Sequence, residues 1–251
     1  MFPGIAAGAL VDAVVAAEEL GLDEVWIADE GVAREPIPIL SAAATRTSRI
    51  RLAIGITTPV LRHPGAIAAS VSTLDELSAG RAMVGLGVGG ELSLGPFGLE
   101  ADRPVKRLRD AIAIIRSVHG GRSGPGYEPP AHAAPSRSIP LWVGARGPQL
   151  VRLAARRADG LFLSGCTPAE LESIIANTRG RGEPDVAIYQ TAVDAPKRPS
   201  EIGWDHVTQV LQSALTEFVP ASIGLNLVQF AEATTDPVPL VVRAAELLRS
   251  V

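Results

Sequence analysis

The sequence predicts an α/β protein built as a single (β/α)8 TIM-barrel domain over residues 1–251, and three observations lead to this fold class. The length of 251 residues is typical of one such barrel. Short β-branched runs alternate along the chain with longer helical runs, which is the pattern of βα units and a parallel sheet. Hydrophobic residues make up 47% of the chain and aromatic residues only 4%, so a large core of aliphatic side chains is expected.

Seven segments have the composition and length of buried strands, whereas a closed barrel needs eight. The predicted strands are Val25–Ala28, Ile50–Ile56, Ala82–Leu86, Ile139–Val143, Leu161–Leu163, Val186–Ala192 and Ile223–Leu227. The remaining candidate, Met1–Ile5, is very short and contains Pro3, a residue that is unfavourable inside a strand. The first strand is therefore predicted to be short or missing.

Helices are predicted around these strands from apolar residues at three- and four-residue spacing and from end signals. The predicted helices are Leu10–Leu20, Pro36–Thr45, Pro64–Leu77, Pro104–Val118, Pro148–Ala158, one that begins at Pro168, Asp205–Phe218 and Asp236–Leu248. The clearest start is Thr167, which forms a capping box with Glu170. His63 precedes Pro64 and fits a cap of the following helix. Gly120–Ser138 is rich in Gly and Pro and is predicted to be a long loop.

Composition narrows the class of partner. The chain has 23 Lys and Arg against 27 Asp and Glu, a formal net charge of −4, so a nucleic-acid partner is not expected. Cys166 is the one cysteine, which excludes an intrachain disulfide, and no pair of histidines has metal-ligand spacing, so no metal is predicted. Without an apolar run of membrane-spanning length or a leader pattern, a cytoplasmic protein with no membrane contact is expected.

In a barrel of this class the carboxyl ends of the strands form the working face. Asp29 and Glu30 follow the strand Val25–Ala28, and adjacent side chains point to opposite sides, so at most one of them faces the barrel axis. A carboxylate there could bind a cofactor or move a proton. The alternative for either residue is a helix-capping or salt-bridged acid.

The segment Gly144-Ala145-Arg146-Gly147-Pro148 is predicted to be a tight turn from strand to helix. Its glycines let the backbone approach a ligand, and the free N–H groups of the helix behind it suit a phosphate. Arg146 could add a pair of donors to that phosphate. The alternative is an ordinary βα turn with a solvent-facing Arg146.

Two further segments fall at strand ends. Gly85-Leu86-Gly87-Val88-Gly89-Gly90 has the spacing G-x-G-x-G-G, which is not the dinucleotide fingerprint, and no helix is predicted directly after it. It fits a strand end that leaves room for a flat ring, or else a flexible loop. Cys166 follows Ser164-Gly165, and because no activating base is identifiable, it is predicted to line a cofactor site rather than to act as a nucleophile.

Taken in order, these motifs resemble those of the luciferase-like flavin oxidoreductases, over roughly Leu10 to Ala176. The motifs are Thr57-Thr58-Pro59, Arg62-His63-Pro64, Leu74-Asp75-Glu76-Leu77-Ser78-Ala79-Gly80-Arg81, Gly85-Leu86-Gly87-Val88-Gly89, Ile139-Pro140-Leu141-Trp142-Val143-Gly144-Ala145-Arg146-Gly147-Pro148 and Ala158-Asp159-Gly160. The resemblance is strongest to the branch that uses the deazaflavin coenzyme F420 and includes methylenetetrahydromethanopterin reductase.

The resemblance implies a (β/α)8 barrel, usually dimeric, that carries out hydride chemistry on a small-molecule substrate with F420, or alternatively FMN, as cofactor. It implies that the catalytic candidates Glu30 and Asp29 lie by the cofactor ring. The bulge of Gly55, Ile56 and Thr57 lies behind that ring, and the family often has a non-prolyl cis peptide there, which we predict at Gly55–Ile56. The residues implied to hold the phosphorylated tail, or to lie near it, are Gly87, Val88, Gly89, Gly144, Ala145, Arg146, Gly147, Pro148, Ser164, Gly165 and Cys166.

One departure leaves the cofactor open, because Glu30 stands where the deazaflavin branch often has a histidine. Val193–Phe218 is also short for the family, so a small or open substrate pocket is expected. Three hypotheses follow: an F420-dependent oxidoreductase, an FMN-dependent monooxygenase on the same barrel, and a flavin-binding barrel without turnover. The sequence does not identify the substrate.

Overall fold

The computed structural model describes residues 5–29, 32, 34–124, 128–130, 134–135, 137–178, 184–193, 196–198, 201–217, 220–227 and 236–251. The chain forms two compact units, one of residues Asp23–Val143 and one that combines Met1–Leu22 with Gly144–Val251. The expectation of one domain over residues 1–251 stays a prediction. None of the helices in the described ranges is long and apolar enough to cross a membrane.

Strands and helices alternate along the described chain. The strands are β1 (Glu24–Ile27), β2 (Arg51–Thr57), β3 (Ala82–Leu86), β4 (Leu141–Gly144), β5 (Gly160–Ser164), β6 (Asp185–Val193), β7 (Glu201–Gly203) and β8 (Ser222–Asn226). The helices are α1 (Ala7–Glu19), α2 (Pro36–Ala44), α3 (Pro64–Leu77), α4 (Glu91–Leu94), α5 (Pro104–His119), α6 (Pro148–Arg157), α7 (Pro168–Ala176), α8 (Val207–Glu217) and α9 (Val238–Leu248). Every strand pair among the described residues of each unit is parallel.

Each of the seven predicted strands is confirmed to within two residues at either end. Two short elements differ from the expectation. β7 pairs with Thr191–Val193 of β6, and its three residues are too few to give an alternating pattern. α4 begins at Glu91, so the expectation that no helix follows Gly90 is wrong; the Ser93 hydroxyl accepts from the Gly90 N–H and holds this single turn. The candidate strand Met1–Ile5 lies outside the described residues except for Ile5, which is buried and not in a strand.

In the unit Asp23–Val143 the strands follow the order β1, β2, β3, β4. Arg81, immediately before β3, ties the amino-terminal ends of these elements together. Its guanidinium donates to the carbonyls of Ala44, Thr47, Ile50 and Ser78 at 2.7–3.0 Å. These carbonyls lie at the ends of α2 and α3 and at the start of β2. Part of the motif that carries the family resemblance is therefore structural.

Asp75 adds a second tie at the same end. Its buried carboxylate accepts from the Ala82 N–H at 3.2 Å and from the Arg137 guanidinium at 2.5 and 3.1 Å. The pair fixes the end of α3 against the start of β3. Because this end of a parallel sheet lies opposite the carboxyl ends of its strands, we assign Arg81 and Asp75 to stability rather than to function.

The other unit is organised around β6, which pairs with β5, β7 and β8. Phe162 of β5 stacks on Tyr189 of β6 at 4.9 Å between ring centroids. A Cβ at Gly224 of β8 would lie 2.5 Å from the Tyr189 ring, so the glycine makes room for it. α1 packs against α9 in this unit, and the Arg249 side chain donates to the Leu20 carbonyl at 2.8 Å.

The stability of the unit Asp23–Val143, called the first unit below, is predicted to depend on pH through His119, at the end of α5. Its Nε2 lies 3.2 Å from the Ala68 carbonyl oxygen, which can only accept, so Nε2 carries the proton. Burial lowers the pKa of His119 below its ordinary value. Between the folded and unfolded pKa the unfolded chain binds more protons, so the free energy of unfolding should fall as the pH drops below about 6.5.

The measurement is urea unfolding of the wild type and His119→Gln between about pH 5 and pH 8. The difference in stability between the two should shrink as the pH falls, because glutamine does not titrate. A difference that stays constant over this range would contradict the prediction.

Candidate functional site

Asp29 follows the end of β1 and is almost fully buried. One carboxylate oxygen, Oδ2, accepts from the Thr57 hydroxyl at 2.6 Å and from Arg62 Nε at 3.2 Å. Thr57 is the last residue of β2, so the carboxylate joins the carboxyl ends of two neighbouring strands. The sequence left open whether Asp29 binds a cofactor or acts as a helix-capping or salt-bridged acid. The structure shows a salt bridge between Asp29 and Arg62.

Arg62 extends this contact to a second carboxylate. Its Nη2 donates to Glu35 Oε1 at 2.7 Å, and Glu35 also accepts from the Ile37 N–H as the cap of α2. Arg62 and Glu35 are not among the residues that the sequence marks as candidates. The available signal was Arg62 in the motif Arg62-His63-Pro64, next to the strand end at Thr57.

Local hydrogen bonds bring Arg62 to this position. The buried Thr58 hydroxyl accepts from the Val60 N–H at 3.3 Å, and the Thr58 carbonyl accepts from the Arg62 N–H at 3.4 Å. The next residue, His63, accepts from the Gly65 N–H through Nδ1 at 3.1 Å and caps α3, as predicted. The turn after β2 thus ends on Arg62, and α3 begins directly behind it.

Glu30, the first catalytic candidate, lies outside the described residues. Its role by the cofactor ring therefore stays a prediction. The role predicted for Asp29 also stays a prediction, although its geometry suits an acceptor.

The predicted bulge in β2 is present. The peptide bond Gly55–Ile56 is cis, as expected, and the register against β3 shifts between Ile54 and Thr57. A Cβ at Gly55 would lie 2.5 Å from the Trp26 ring, so a larger residue would not fit behind the bulge. The bulge and Asp29 lie at neighbouring strand ends of the same unit.

Gly85 of β3 and the glycines that follow the strand have a packing role that the sequence did not indicate. A Cβ at Gly85 would lie 2.5 Å from Ile56 Cγ2, and a Cβ at Gly87 would overlap Ile56 Cδ1. Gly89 has φ +80°, and a Cβ there would lie 2.8 Å from Leu94. These three glycines are thus required by the packing of protein side chains around them. Cofactor binding by Gly87, Val88 and Gly89 stays a prediction.

In the other unit, the turn Gly144–Pro148 joins β4 to α6 as predicted. Arg146 Nη2 donates to the carbonyls of Ser164 at 2.6 Å and Gly165 at 3.0 Å, so the guanidinium is held in place by the backbone after β5. No atom lies within 4 Å of a Cβ built at Gly147. The first intrahelical bond runs from the Val151 N–H to the Gly147 carbonyl, which leaves the amides of the first turn to other acceptors.

Cys166 and Gln190 lie together behind that turn. Burial raises the pKa of the Cys166 thiol, which argues against a nucleophilic role. That Cys166 lines a cofactor site stays a prediction. The buried Gln190 donates through Nε2 to the Cys166 carbonyl at 3.1 Å. Its Oε1 has no donor among the described residues. A buried acceptor of this kind is normally satisfied, so Gln190 fits contact with a ligand that carries a donor group.

Each unit, taken by itself, offers features that fit part of a flavin-type group. The first unit offers a buried carboxylate beside a strand bulge. The second offers an open, backbone-lined turn with a fixed guanidinium, and a buried amide oxygen without a donor. An anionic group suits the turn Gly144–Pro148, since the first-turn amides of α6 and Arg146 both favour negative charge.

The comparisons with known proteins agree on one protein family. A family model described as luciferase-like monooxygenase matches residues 3–221. A 5,10-methylenetetrahydromethanopterin reductase of Archaeoglobus fulgidus is 31% identical over 169 residues, which are 62% of this chain and 49% of that protein. An F420-dependent glucose-6-phosphate dehydrogenase of Kineococcus radiotolerans is 32% identical over 212 residues, 73% of this chain and 63% of that protein. The chain spans about half the length of the curated relatives it matches.

Solved structures show the same fold. The monooxygenase RslO1 from Streptomyces bottropensis superposes with a TM-score of 0.79 at 19% identity, over 98% of this chain and 95% of that chain. The coenzyme F420-dependent tetrahydromethanopterin reductase from Methanopyrus kandleri gives a TM-score of 0.67 at 22% identity, over 98% of this chain and 81% of that chain. These likenesses confirm the predicted (β/α)8 fold class.

The packing of Ile56 predicts a specific coupling in stability. Gly87→Ala should destabilise the protein by about 1–3 kcal/mol, because its new methyl overlaps Ile56 Cδ1. Ile56→Val removes that atom at a cost of about 0.5–1.5 kcal/mol. The double variant should be more stable than the sum of the two losses predicts. Urea unfolding measures all three, with Gly90→Ala as the control, since a Cβ there meets nothing within 4 Å. Strictly additive losses would count against this packing.

Proposed function

The chain belongs to the luciferase-like monooxygenase family, and we propose that it is an oxidoreductase that transfers a hydride between coenzyme F420 and a small organic substrate. The observation that carries the proposal is Asp29, a buried carboxylate at a strand end beside the β2 bulge, with Oδ2 bonded to protein donors. The names of the curated relatives, F420-dependent glucose-6-phosphate dehydrogenase among them, support the choice of coenzyme.

The protein groups have distinct tasks in this proposal. Asp29 accepts a hydrogen bond from the ring system, and Glu30 is the ring-proximal acid or base. The backbone of Gly55, Ile56 and Thr57 packs behind the ring. When bound, the coenzyme supplies the hydride chemistry, and the protein supplies binding and orientation.

We propose separately that the unit combining Met1–Leu22 with Gly144–Val251 binds an anionic group such as a phosphate. The first-turn amides of α6, behind Gly147, favour an anion, and Arg146 contributes through the nitrogens that do not bond Ser164 and Gly165. Cys166 and Gln190 line the same region. In the unit Asp23–Val143, the proposal also includes Gly87, Val88 and Gly89 as backbone contacts of the coenzyme.

A second candidate is an FMN-dependent monooxygenase. Two observations favour it. Glu30 replaces the histidine common in the deazaflavin branch, and the structural likeness to the monooxygenase RslO1 extends over 95% of that chain. Both cofactors carry a tricyclic ring and a phosphate, so the two candidates share most of the residues named above.

Cofactor titration followed by fluorescence tests both candidates. The wild type should bind F420 more tightly than FMN, and Arg146→Ala should weaken F420 binding by about tenfold, the usual value of a charged hydrogen bond. Arg156→Ala removes an exposed arginine from the last turn of the same helix and should leave the affinity unchanged. Preference for FMN would select the second candidate, and binding of neither by folded protein would contradict both.

We also propose a homodimer formed through the outer faces of α2 and α3, which pack against each other. The exposed residues of α2 are Pro38 and Ala42. In α3 the exposed residues are Ala66, Ala69 and Thr73, followed by Glu76 and Leu77 at the end of the helix. The first five of these residues carry no charge. The exposed face of α5, by contrast, carries Lys106, Arg107 and Arg109. A charge-free face of small side chains suits close packing against a second copy.

Sedimentation of the wild type should show a dimer. Ala69→Arg should give a monomer, because it buries an unpaired charge in the contact. Ala113→Arg, a matched change on the exposed face of α5, should leave the dimer intact. A monomeric wild type, or a dimer that tolerates Ala69→Arg, would refute this surface.

A further inference from the structure

The guanidinium of Arg62 lies between two carboxylates of very different exposure. The Asp29 side chain is 4% exposed and that of Glu35 is 40% exposed, while Arg62 itself is 31% exposed. Nε faces Asp29 at 3.2 Å and Nη2 faces Glu35 at 2.7 Å. Only a planar, forked cation can serve both partners with fixed geometry, which a lysine cannot do.

The two donors to Asp29 use the same oxygen. Thr57 Oγ1 and Arg62 Nε both bond Oδ2, and Oδ1 receives no hydrogen bond from any residue in the described ranges. Two donors from different directions fix the plane of the carboxylate. Within the described ranges, the protein therefore bonds only Oδ2, and Oδ1 is left as an acceptor of fixed orientation.

Glu35 gives this arrangement a fixed support. Its carboxylate caps α2 by accepting from the Ile37 N–H, and Pro36 begins the helix. The Arg62 backbone N–H bonds the Thr58 carbonyl, and α3 begins two residues later at Pro64, so the backbone at Arg62 is fixed on both sides. The position of Asp29 is thus set by two helix starts and one strand end.

We propose that Arg62 is a positioning residue that holds Asp29 so that Oδ1 accepts a hydrogen bond from an N–H or O–H donor of the bound ring system. The inference rests on the proposed function, because it assigns the ring to Asp29. Without Arg62, the buried carboxylate of Asp29 loses its compensating charge while Glu35 stays close by. Since an uncompensated buried charge is costly, the carboxylate should turn towards water and lose its orientation.

A double-mutant cycle on F420 affinity, with FMN in parallel, tests whether Arg62 acts through Asp29. Arg62→Gln should raise the dissociation constant by about tenfold in the wild type, as expected for coupled neighbours. In the Asp29→Asn background the same change should alter it by less than about twofold, because the group that Arg62 positions is already changed. An equal effect in both backgrounds would assign Arg62 a role separate from Asp29 and would overturn the inference.

Two further variants separate positioning from general stability. Arg62→Lys keeps the charge without the fork and should restore only part of the lost affinity. Arg51→Gln is the matched control, since Arg51 pairs with the almost buried Glu24 at 2.9 Å at the other end of the same strand pair. It should leave the affinity unchanged. A loss in Arg51→Gln equal to that in Arg62→Gln would indicate a structural effect and contradict the inference.

A ligand-free measurement keeps the two proposals distinguishable. The unfolding free energies of Arg62→Gln, Asp29→Asn and the double variant should be non-additive, and additivity would refute the contact on which the inference rests. If the wild type binds neither F420 nor FMN, the proposed function fails and the inference fails with it. If the wild type binds and Arg62→Gln binds equally well, only the inference about Arg62 fails.

Discussion

The packing of Ile56 into the space above Gly85 and Gly87 is the constraint on which the carboxyl ends of β1 and β2 depend in the unit Asp23–Val143. β2 leaves regular register at this point, and the Ile56 side chain is accommodated because Gly85 of β3 and Gly87 just after β3 have no side chain. A methyl at either glycine would meet Ile56 at a distance that protein atoms do not tolerate. The end of β2 is then fixed by the bond from the Gly87 N–H to the Thr57 carbonyl at 2.8 Å.

A chain of hydrogen bonds connects this bulge in β2 to the carboxylate of Asp29. Thr57, at the fixed strand end, donates to Asp29, and the turn that follows supplies Arg62 to the same oxygen. Packing in the sheet and charge at its edge are therefore linked. An acceptor is valuable in a binding site only when its orientation is maintained, and here the orientation depends on contacts from β2, α2 and α3.

The opposite end of the same strands serves stability. Arg81 satisfies four backbone carbonyls at the amino-terminal ends, and Asp75 pairs with Arg137 there. In the other unit, the backbone at the carboxyl end of β5 holds the guanidinium of Arg146 in place. This division agrees with the general behaviour of (β/α)8 proteins, in which one end of the strands supports the fold and the other carries the chemistry.

The sequence by itself determined the features that arise from contacts between near neighbours in the chain. The alternation of strands and helices follows from local periodicity, and the caps at His63 and Thr167 are bonds across two or three residues. The β2 bulge was expected from the family motif alone. The tertiary structure decided that Asp29 bonds Thr57 and Arg62, which are 28 and 33 positions away, and that Gly85 and Gly87 accommodate Ile56. Such partners are chosen by the packing of whole strands and helices, and one sequence carries no local signal for contacts that only folding brings together.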